Sequence, residues 1–439
     1  MEAPAAANRP MLPSRLATNV LPWMTWAAVA CLAAGVFTSV ALCAGYHILV
    51  IVPGLVCLAW AWRRECWKCL PASAWVLFAI VGWGLLSDFI NWGEIQDKLA
   101  KPRTTKLKYY FFGILGLVAL RDSIQKGVTR RVARLLLHVC FLSIIVSVVC
   151  GMVRVWGGFD LVKWEYGDFH RHGGITGPMR FGYGMCLVLP VLLGLWLRRR
   201  EWAKWYDGRL LAVTLVFGFI GLLLTQTRGA LFALLIAVPL TVLLYDRRRG
   251  LWIAGGCVCL ATVLVVGNLI GGERLSQTLT GNKQSLPGRF FKGLTSGDRV
   301  SVYTAAVIGI RERPWSGNGM LQFEHRILDI KQRHNLAYPE RGASHAHNVF
   351  LQLGVDLGVP GLMALVVWLI LWGRELCRRR DALGRCFLPL LVAFVLAGQF
   401  EYLFDANNSF LIFFAYALSL AIPRVQELPH GTARVSTAA

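Results

Sequence analysis

The chain has 439 residues, of which 56% are hydrophobic and only 16% are charged. This composition excludes an ordinary soluble domain and indicates an all-α polytopic membrane protein. The formal net charge is +22, but the basic residues form short clusters between apolar runs. A nucleic-acid-binding protein would instead gather them on one face, so that class of function is excluded as well.

Apolar runs long enough to cross a bilayer predict about 12 transmembrane helices. Residues 1–270 hold spans one to nine: Leu21–Leu42, Tyr46–Trp62, Pro71–Ile90, Tyr109–Leu120, Val132–Val153, Phe181–Leu197, Leu210–Leu224, Leu231–Tyr245 and Leu251–Ile270. A large hydrophilic loop follows at 271–346. Residues 347–422 hold the last three: Val349–Trp372, Phe387–Phe404 and Phe410–Ile422. A cleaved signal peptide is the alternative for the first run, which is long for that role.

The orientation follows from the basic clusters in the short loops. In a twelve-span arrangement these clusters share one side with both termini, at 63–68, 121–131, 198–200, 247–249 and 374–385. Positive charge in short loops marks the cytoplasmic face, so the tail at 423–439 is predicted to be cytoplasmic. The segments expected to face outward are 156–179, 225–230, 271–346 and 403–409.

Twelve cysteines are present, most of them within apolar segments, and the loop at 271–346 has none. No disulfide framework is therefore predicted for that loop. Cys66-Trp-Lys-Cys69 is a lone C-x-x-C without partner ligands. A metal or redox role for it stays open as the minor alternative.

Three arginines on the predicted outer face are candidates for binding phosphate. Arg228 lies in the short turn between two spans, Arg299 precedes the apolar stretch Ala305–Ile310, and Arg180 begins the sixth span. A planar guanidinium binds phosphate oxygens through two parallel hydrogen bonds. The simpler alternative for each is an anchor to lipid headgroups. The stretch after Arg299 is expected to lie on the membrane surface.

The segment before the tenth span carries the histidines. Ser344 is a plausible N-cap, which predicts a helix that begins near His345 and holds His347 in its first turn. Spacing of two on a helix points side chains apart, so His345 is expected to be only a neighbour of His347. Without a nearby carboxylate–histidine ligand set, metal catalysis is disfavoured and no cofactor is predicted.

The tenth span itself is expected to be broken. Gly354 and Gly358 form a pair of small residues that permits close helix contact, and Gly358-Val-Pro-Gly361 should interrupt the helix. Pro314-Trp-Ser-Gly-Asn-Gly319 is a turn, and a backbone nest for an anion is its alternative reading. Near the last outward loop, Glu401 and Asp405 are interfacial carboxylates that are either functional or partners of the arginines.

These motifs together resemble the signature of the bacterial O-antigen ligase family. The pattern is His347-Asn348, nine residues, then Gly358-x-x-Gly361. Thr225-Gln-Thr-Arg228 is similar to the family's short external turn with an essential arginine. Arg299 with Pro314-x-x-Gly317-x-Gly319 resembles the start of its large periplasmic loop. The resemblance covers roughly residues 170–420, and the superfamily also holds O-antigen polymerases and O-oligosaccharyltransferases.

The resemblance implies a GT-C-like membrane glycosyltransferase in the bacterial inner membrane, with its active site facing the periplasm. The donor would be O-antigen on undecaprenyl pyrophosphate, and the acceptor a sugar hydroxyl of lipid A–core. The reaction would be metal-independent and inverting, with His347 as base and with Arg228 and Arg299 holding the pyrophosphate. The residues expected to bind substrate are Arg180, His345, Asn348 and Asp405.

Three alternatives stay open at this point. A polymerase would use a second lipid-linked glycan as acceptor, and an O-oligosaccharyltransferase would use a protein. The short tail after residue 422 argues against the latter. A transporter of a phosphate-bearing lipid would use the arginines for binding alone, but transporters tend to show broken helices in matching halves.

Overall fold

The structure is a computed structural model. It describes residues 15–63, 70–93, 104–126, 130–161, 165–166, 173–202, 205–257, 297–337, 342–379, 382–404 and 406–422. The chain is almost wholly helical in these ranges, apart from a two-stranded antiparallel sheet in which Phe159–Asp160 pairs with Glu165–Tyr166.

Thirteen long helices are described in these ranges. They are α1 (Arg15–Gly35), α2 (Val40–Arg63), α3 (Ala72–Ile90), α4 (Lys108–Gln125), α5 (Arg130–Gly157), α6 (Pro178–Leu197), α7 (Gly208–Thr225), α8 (Arg228–Tyr245), α9 (Gly297–Glu312), α10 (Phe323–Arg333), α11 (Val349–Arg378), α12 (Ala382–Ala397) and α13 (Ala406–Ala421). A short 3₁₀ turn at Thr104–Leu107 leads into α4, and Arg199–Trp202 forms one further turn after α6.

Seven helices in the described ranges are long and apolar enough to cross a membrane. They are α2, α3, α5, α6, α7, α8 and α11, while the apolar parts of α1, α12 and α13 are shorter. The prediction of an all-α, multi-pass membrane protein is therefore confirmed. The count of twelve spans stays a prediction, because most of the ninth predicted span, 258–270, lies outside the described residues.

Helix α4 lies inside the bundle, packed between α2, α3 and α13. Glycines let the helices approach closely there. A Cβ on Gly54 of α2 would meet the Leu115 side chain at 2.7 Å, and one on Gly113 would meet Phe413 of α13 at 2.8 Å. Small residues drive this kind of packing in lipid, where hydrophobicity alone does not favour helix association.

The turn between the first two helices differs from the prediction. The sequence predicts one apolar run to Leu42, but α1 ends at Gly35 and α2 begins at Val40. The turn is tight, since a Cβ on Gly35 would meet the Leu42 side chain at 2.6 Å. The prediction was wrong because two small polar residues, Thr38 and Ser39, are too few to interrupt the apolar run in hydropathy.

One end of the bundle carries the ends of α6, α8 and α11, which run into the described basic residues Arg198, Arg247 and Arg378, and we call it the basic end. Ser73 at the start of α3 donates to Glu375 near the end of α11 at 2.8 Å. Arg379 donates to the carbonyl of Ser419 there, and the Tyr245 hydroxyl lies 2.8 Å from the sulfur of Cys386. The helix ends that the sequence assigns to one face thus contact one another.

The opposite end, which we call the loop end, holds the connections around residues 226, 316, 346 and 401. Contrary to the sequence analysis, this end also carries basic residues from a short loop, namely Lys106 and Lys108. Lys106 lies in the turn before α4 and Lys108 is its first residue; Tyr110, two residues further on, has its ring 5.1 Å from that of Phe404. The charge preference of short loops is a statistical tendency and tolerates such an exception.

The predicted break in the tenth span is confirmed. Helix α11 is interrupted at Gly358, whose φ is 70°, and the turn at 314–319 fills the break. Val359 donates its amide to the carbonyl of Pro314, and Gly319 donates to that of Asp356. A Cβ on Gly358 would lie 2.6 Å from the Pro314 oxygen, so glycine is required for this contact.

The same contacts decide the alternatives for this turn and overturn one other expectation. The amides of Asn318 and Gly319 are bonded to carbonyls of α11, so the segment is the turn that the sequence favours, and these amides form no anion nest. Ala305 and Ala306 are fully buried and pack with Ile327 of α10 and Val355 of α11. The stretch after Arg299 therefore belongs to a small core between α9, α10 and α11 rather than to the membrane surface. A periodic apolar stretch can pack against lipid or against other helices, and only the presence of a protein partner decides which of the two occurs.

Candidate functional site

The two histidines lie in a non-helical, bent segment that precedes α11. Helix α11 begins at Val349, and its N-cap is Asn348, whose side chain accepts from the amides of Phe350 and Leu351. Ser344 is not the cap, and His347 adopts a left-handed backbone with φ 48°. Asparagine is the stronger N-cap here because it directly precedes the apolar helix. The predicted helix start was therefore wrong by four residues.

His345 and His347 converge on one carboxylate. Nε2 of His345 lies 2.5 Å from Oε1 of Glu401, and Nδ1 of His347 lies 3.2 Å from the same oxygen. The two rings are 4.4 Å apart between centroids. The expectation that they point apart was wrong, because it assumed a helix where the backbone turns. We call these three residues the His–Glu cluster.

The hydrogen bonds of the cluster fit one arrangement of protons. Ser344 donates its hydroxyl to Nδ1 of His345 at 2.8 Å, and His345 donates Nε2–H to Glu401. His347 donates Nδ1–H to the same carboxylate, which leaves its Nε2 with a free lone pair. A nitrogen in that state accepts a proton, which is what a general base requires.

Glu401 remains a carboxylate at neutral pH. Burial raises the pKa of Glu401, but the hydrogen bonds from His345 and His347 outweigh it and lower the pKa from 4.5 to about 2. Because the folded pKa lies below the ordinary one, this group's contribution to stability is complete above pH 4.5. It is lost as the pH falls towards 2.

A tyrosine of the large loop joins the cluster to the rest of the bundle. The hydroxyl of Tyr303, on α9, lies 3.3 Å from the carbonyl of His347 and 3.2 Å from that of Gln399. Asn348 also donates to the Gln399 carbonyl at 3.3 Å. The histidine segment and the chain before Glu401 are thus held side by side.

A buried polar network supports the histidine segment from within α11. Gln352 accepts from the amide of Ala346 at 2.6 Å and donates to both carboxylate oxygens of Asp356 at 2.9 Å. Gln352 and Asp356 are fully buried. The sequence analysis missed both residues, although a carboxylate inside a span is by itself a signal of function or of pairing.

Arg228 begins α8 and is half-buried, two residues after the left-handed Gln226. A Cβ on the next residue, Gly229, would meet the Tyr183 hydroxyl at 2.5 Å and the Phe400 side chain at 2.7 Å. Phe400 precedes Glu401 in the chain. The structure therefore brings the arginine turn next to the segment that carries the cluster carboxylate.

Arg299 lies in the first turn of α9 and is also half-buried. Its charge acts on Tyr303, which is bonded to the His347 carbonyl, and on Tyr183, which contacts Gly229. Burial raises the pKa of Tyr303, while the Arg299 charge lowers it. Tyr183 therefore contacts the start of α8, next to Arg228, and lies within the influence of the Arg299 charge. The sequence analysis missed it because an aromatic residue in an apolar run gives no signal.

Two predicted substrate-binding residues are not brought into this group by the described contacts. Arg180 is exposed in the first turn of α6, beside Pro178, whose carbonyl accepts from Thr227 at 3.3 Å. Asp405 lies outside the described residues. A substrate-binding role for either residue stays a prediction.

The His–Glu cluster has the donor types of a metal site. One ligand atom from each of His345, His347 and Glu401 lies within 4.8 Å of the others. The sequence analysis found no carboxylate near the histidines because Glu401 follows them by more than fifty residues. Only the tertiary structure completes the set.

Comparison with known proteins bears on the same segment. A family model described as O-antigen ligase matches residues 211–366, which run from α7 into α11 and include Arg228, Arg299 and both histidines. Glu401 and Arg180 lie outside the matched range. No match is found among curated proteins.

Proposed function

We propose that this chain is a member of the O-antigen ligase family, on the strength of the family match over residues 211–366, and that it transfers a complete glycan between lipids. The donor is O-antigen on undecaprenyl pyrophosphate, and the acceptor is a sugar hydroxyl of lipid A–core. The protein lies in the bacterial inner membrane, with the loop end facing the periplasm. An O-antigen polymerase of the same superfamily is the second candidate, because the family match does not separate the two acceptors.

The observation that carries the proposal is the convergence of three separate segments at the loop end. The His–Glu cluster, the Arg228 turn and the start of α9 with Arg299 are linked through Tyr183, Tyr303 and Phe400. Transfer from a lipid pyrophosphate requires a base for the acceptor hydroxyl and cations for the leaving phosphates, close to one another.

In the proposed reaction His347 acts as the base. The acceptor hydroxyl gives its proton to Nε2 of His347 while its oxygen forms a bond to the anomeric carbon of the donor. Glu401 accepts Nδ1–H from His347, so it holds the ring in the productive tautomer and stabilises the imidazolium that forms. His345 shares that carboxylate and positions it.

The arginines act on the leaving group. As the anomeric carbon–oxygen bond breaks, its electron pair stays on the pyrophosphate, which remains attached to the lipid carrier. Arg228 and Arg299 neutralise that charge through forked hydrogen bonds, and half-buried surroundings strengthen them. The reaction inverts the anomeric configuration because it is a single displacement.

Deleting the gene tests the proposal directly. Lipopolysaccharide from the deletion strain, resolved on a gel, should lack long glycan on lipid A, and polymer should accumulate on its lipid carrier. Complementation with the wild-type gene should restore the ladder, and His347→Ala should not. Bands with a single repeat unit in place of a ladder would instead select the polymerase.

Sidedness is tested by cysteine labelling in intact cells. Gln332 is exposed on α10 and Cys377 is exposed near the basic end of α11. A membrane-impermeant maleimide should label Gln332→Cys in intact cells, whereas Cys377 should react only after lysis. Labelling of Cys377 from outside would reverse the orientation and remove the active site from the periplasm.

A further inference from the structure

We propose that the His–Glu cluster is an inhibitory zinc site. The inference rests on the proposed function, since inhibition acts through His347 as the base. The binding itself follows from the three side chains alone. Two imidazole nitrogens and one carboxylate oxygen, all within 4.8 Å, match the ligand set that Zn²⁺ uses when it leaves a fourth position open.

The cluster is already shaped for a cation. Glu401 is buried between the two histidines, and both ring nitrogens that face it lie within 3.4 Å of its oxygens. The other nitrogen of His345 is bonded to Ser344, and such a partner orients a metal-binding imidazole. The side chains of His345 and His347 are 25% and 30% exposed, so an ion from solvent reaches them.

The zinc ion would inhibit through the tautomer of His347. In the proposed catalytic state the ring proton is on Nδ1, and Nε2 is free to take the acceptor's proton. A zinc ion bound to Nδ1 occupies that lone pair, so the ring proton moves to Nε2. The nitrogen that faces the acceptor then donates instead of accepting, and the base is lost. No net oxidation or reduction takes place.

The site is tested on the purified full-length protein in detergent, with Cys66 and Cys69 replaced by serine because their C-x-x-C spacing also binds zinc. Titration with Zn²⁺ against a chelating indicator should show one ion per chain. His345→Ala should weaken binding roughly 10- to 100-fold or more, since losing even an outer partner of a ligand costs that much. Glu401→Gln should weaken it similarly and keeps the shape of the side chain.

The matched control is His334→Ala. His334 also contacts a glutamate, with Nε2 lying 3.3 Å from Oε1 of Glu312, but it has no second histidine there among the described residues. Zinc binding should be unchanged in this variant. Size-exclusion profiles of all variants establish that they remain folded.

Glycan transfer is measured in parallel. The wild-type enzyme should lose activity over the zinc range that fills the site, and EDTA should restore it. The inference is overturned if binding is unchanged in both His345→Ala and Glu401→Gln, or if a filled site leaves transfer unaffected. If the zinc-free enzyme transfers no glycan, the proposed function is overturned. The stoichiometry of zinc binding would still test the site in that case.

Discussion

The two ends of the bundle are built differently. At the basic end, regular helix ends contact one another through Ser73, Glu375 and Tyr416, so the contacts follow from where helices stop. At the loop end, the His–Glu cluster joins two non-helical segments that lie more than fifty residues apart. One end is a set of helix termini, and the other is a site assembled from loops that helices hold in place.

This difference has a physical basis. Helices satisfy their own backbone groups, so the lipid-embedded part of the chain leaves little polar chemistry free. The loop end needs other partners for its backbone, and Tyr303, Gln352 and Asn348 supply them. Side chains that fix the backbone also fix the histidines. Under the proposed function, catalysis and loop architecture are therefore coupled at that end, whereas the contacts at the basic end join helix termini.

The largest expected effect is at His347. His347→Ala should lower the rate of glycan transfer by about 10²–10⁴, the usual contribution of a general base, while donor binding persists. His347→Gln preserves a hydrogen bond but cannot take a proton, so it should be almost as impaired. The measurement is turnover with purified donor and acceptor, alongside donor affinity. Near-normal turnover of His347→Gln would reduce His347 to a positioning residue.

The arginines come next. Arg228→Lys and Arg299→Lys should each lower turnover about 10²-fold, because an ammonium cannot form the forked bonds of a guanidinium. Arg333→Lys is the control, since Arg333 forms exposed pairs with Glu312 and Asp329, and it should stay within about twofold. Turnover should also survive EDTA. Full inhibition by EDTA, reversed by magnesium or manganese, would contradict this assignment of the phosphate charge.

Gly358 connects the two regions because it lies where α11 breaks. Gly358→Ala should destabilise the protein by about 1–3 kcal/mol, since alanine must adopt φ 70° and meet the carbonyls of Pro314 and Trp315. Gly373→Ala, in the regular part of the same helix, contacts only the Leu391 side chain at 3.3 Å and should be far milder. Thermal unfolding in detergent compares them. Equal losses would mean that the break carries no special constraint.

The smallest expected effects come from removing one side-chain hydroxyl at each end of the bundle. Ser73→Ala should cost about 1 kcal/mol of stability and leave glycan transfer unchanged. Tyr303→Phe removes the bonds to the His347 and Gln399 carbonyls, so we expect a similar stability loss with transfer roughly fivefold slower. Unfolding midpoints and turnover separate the two. A loss of transfer in Ser73→Ala would show that the basic end also shapes the site.

The sequence by itself determined the class of the protein and most of its described helices, and it named several candidate site residues. Hydropathy is a local property, so each long apolar run within the described ranges gave a helix. Gly358-Val-Pro-Gly361 gave the break because glycine and proline act on their own backbone. His347, Arg228 and Arg299 could be picked out from their positions near span ends. The family match over 211–366 agrees with the motifs that contain them.

Only the tertiary structure decided how those residues meet. The segment with His345 and His347 was predicted as helix because Ser344 is a plausible N-cap. In the structure Asn348 caps the helix, and contacts with Gln352 and Glu401 hold the preceding segment in a non-helical path. Pairing with Glu401 depends on α11 and α12 lying side by side, which no spacing in the chain encodes. The positions of Tyr183 and Tyr303 depend in the same way on packing between helices that are distant in the chain. Local chemistry thus fixed the elements, and long-range contacts fixed the site.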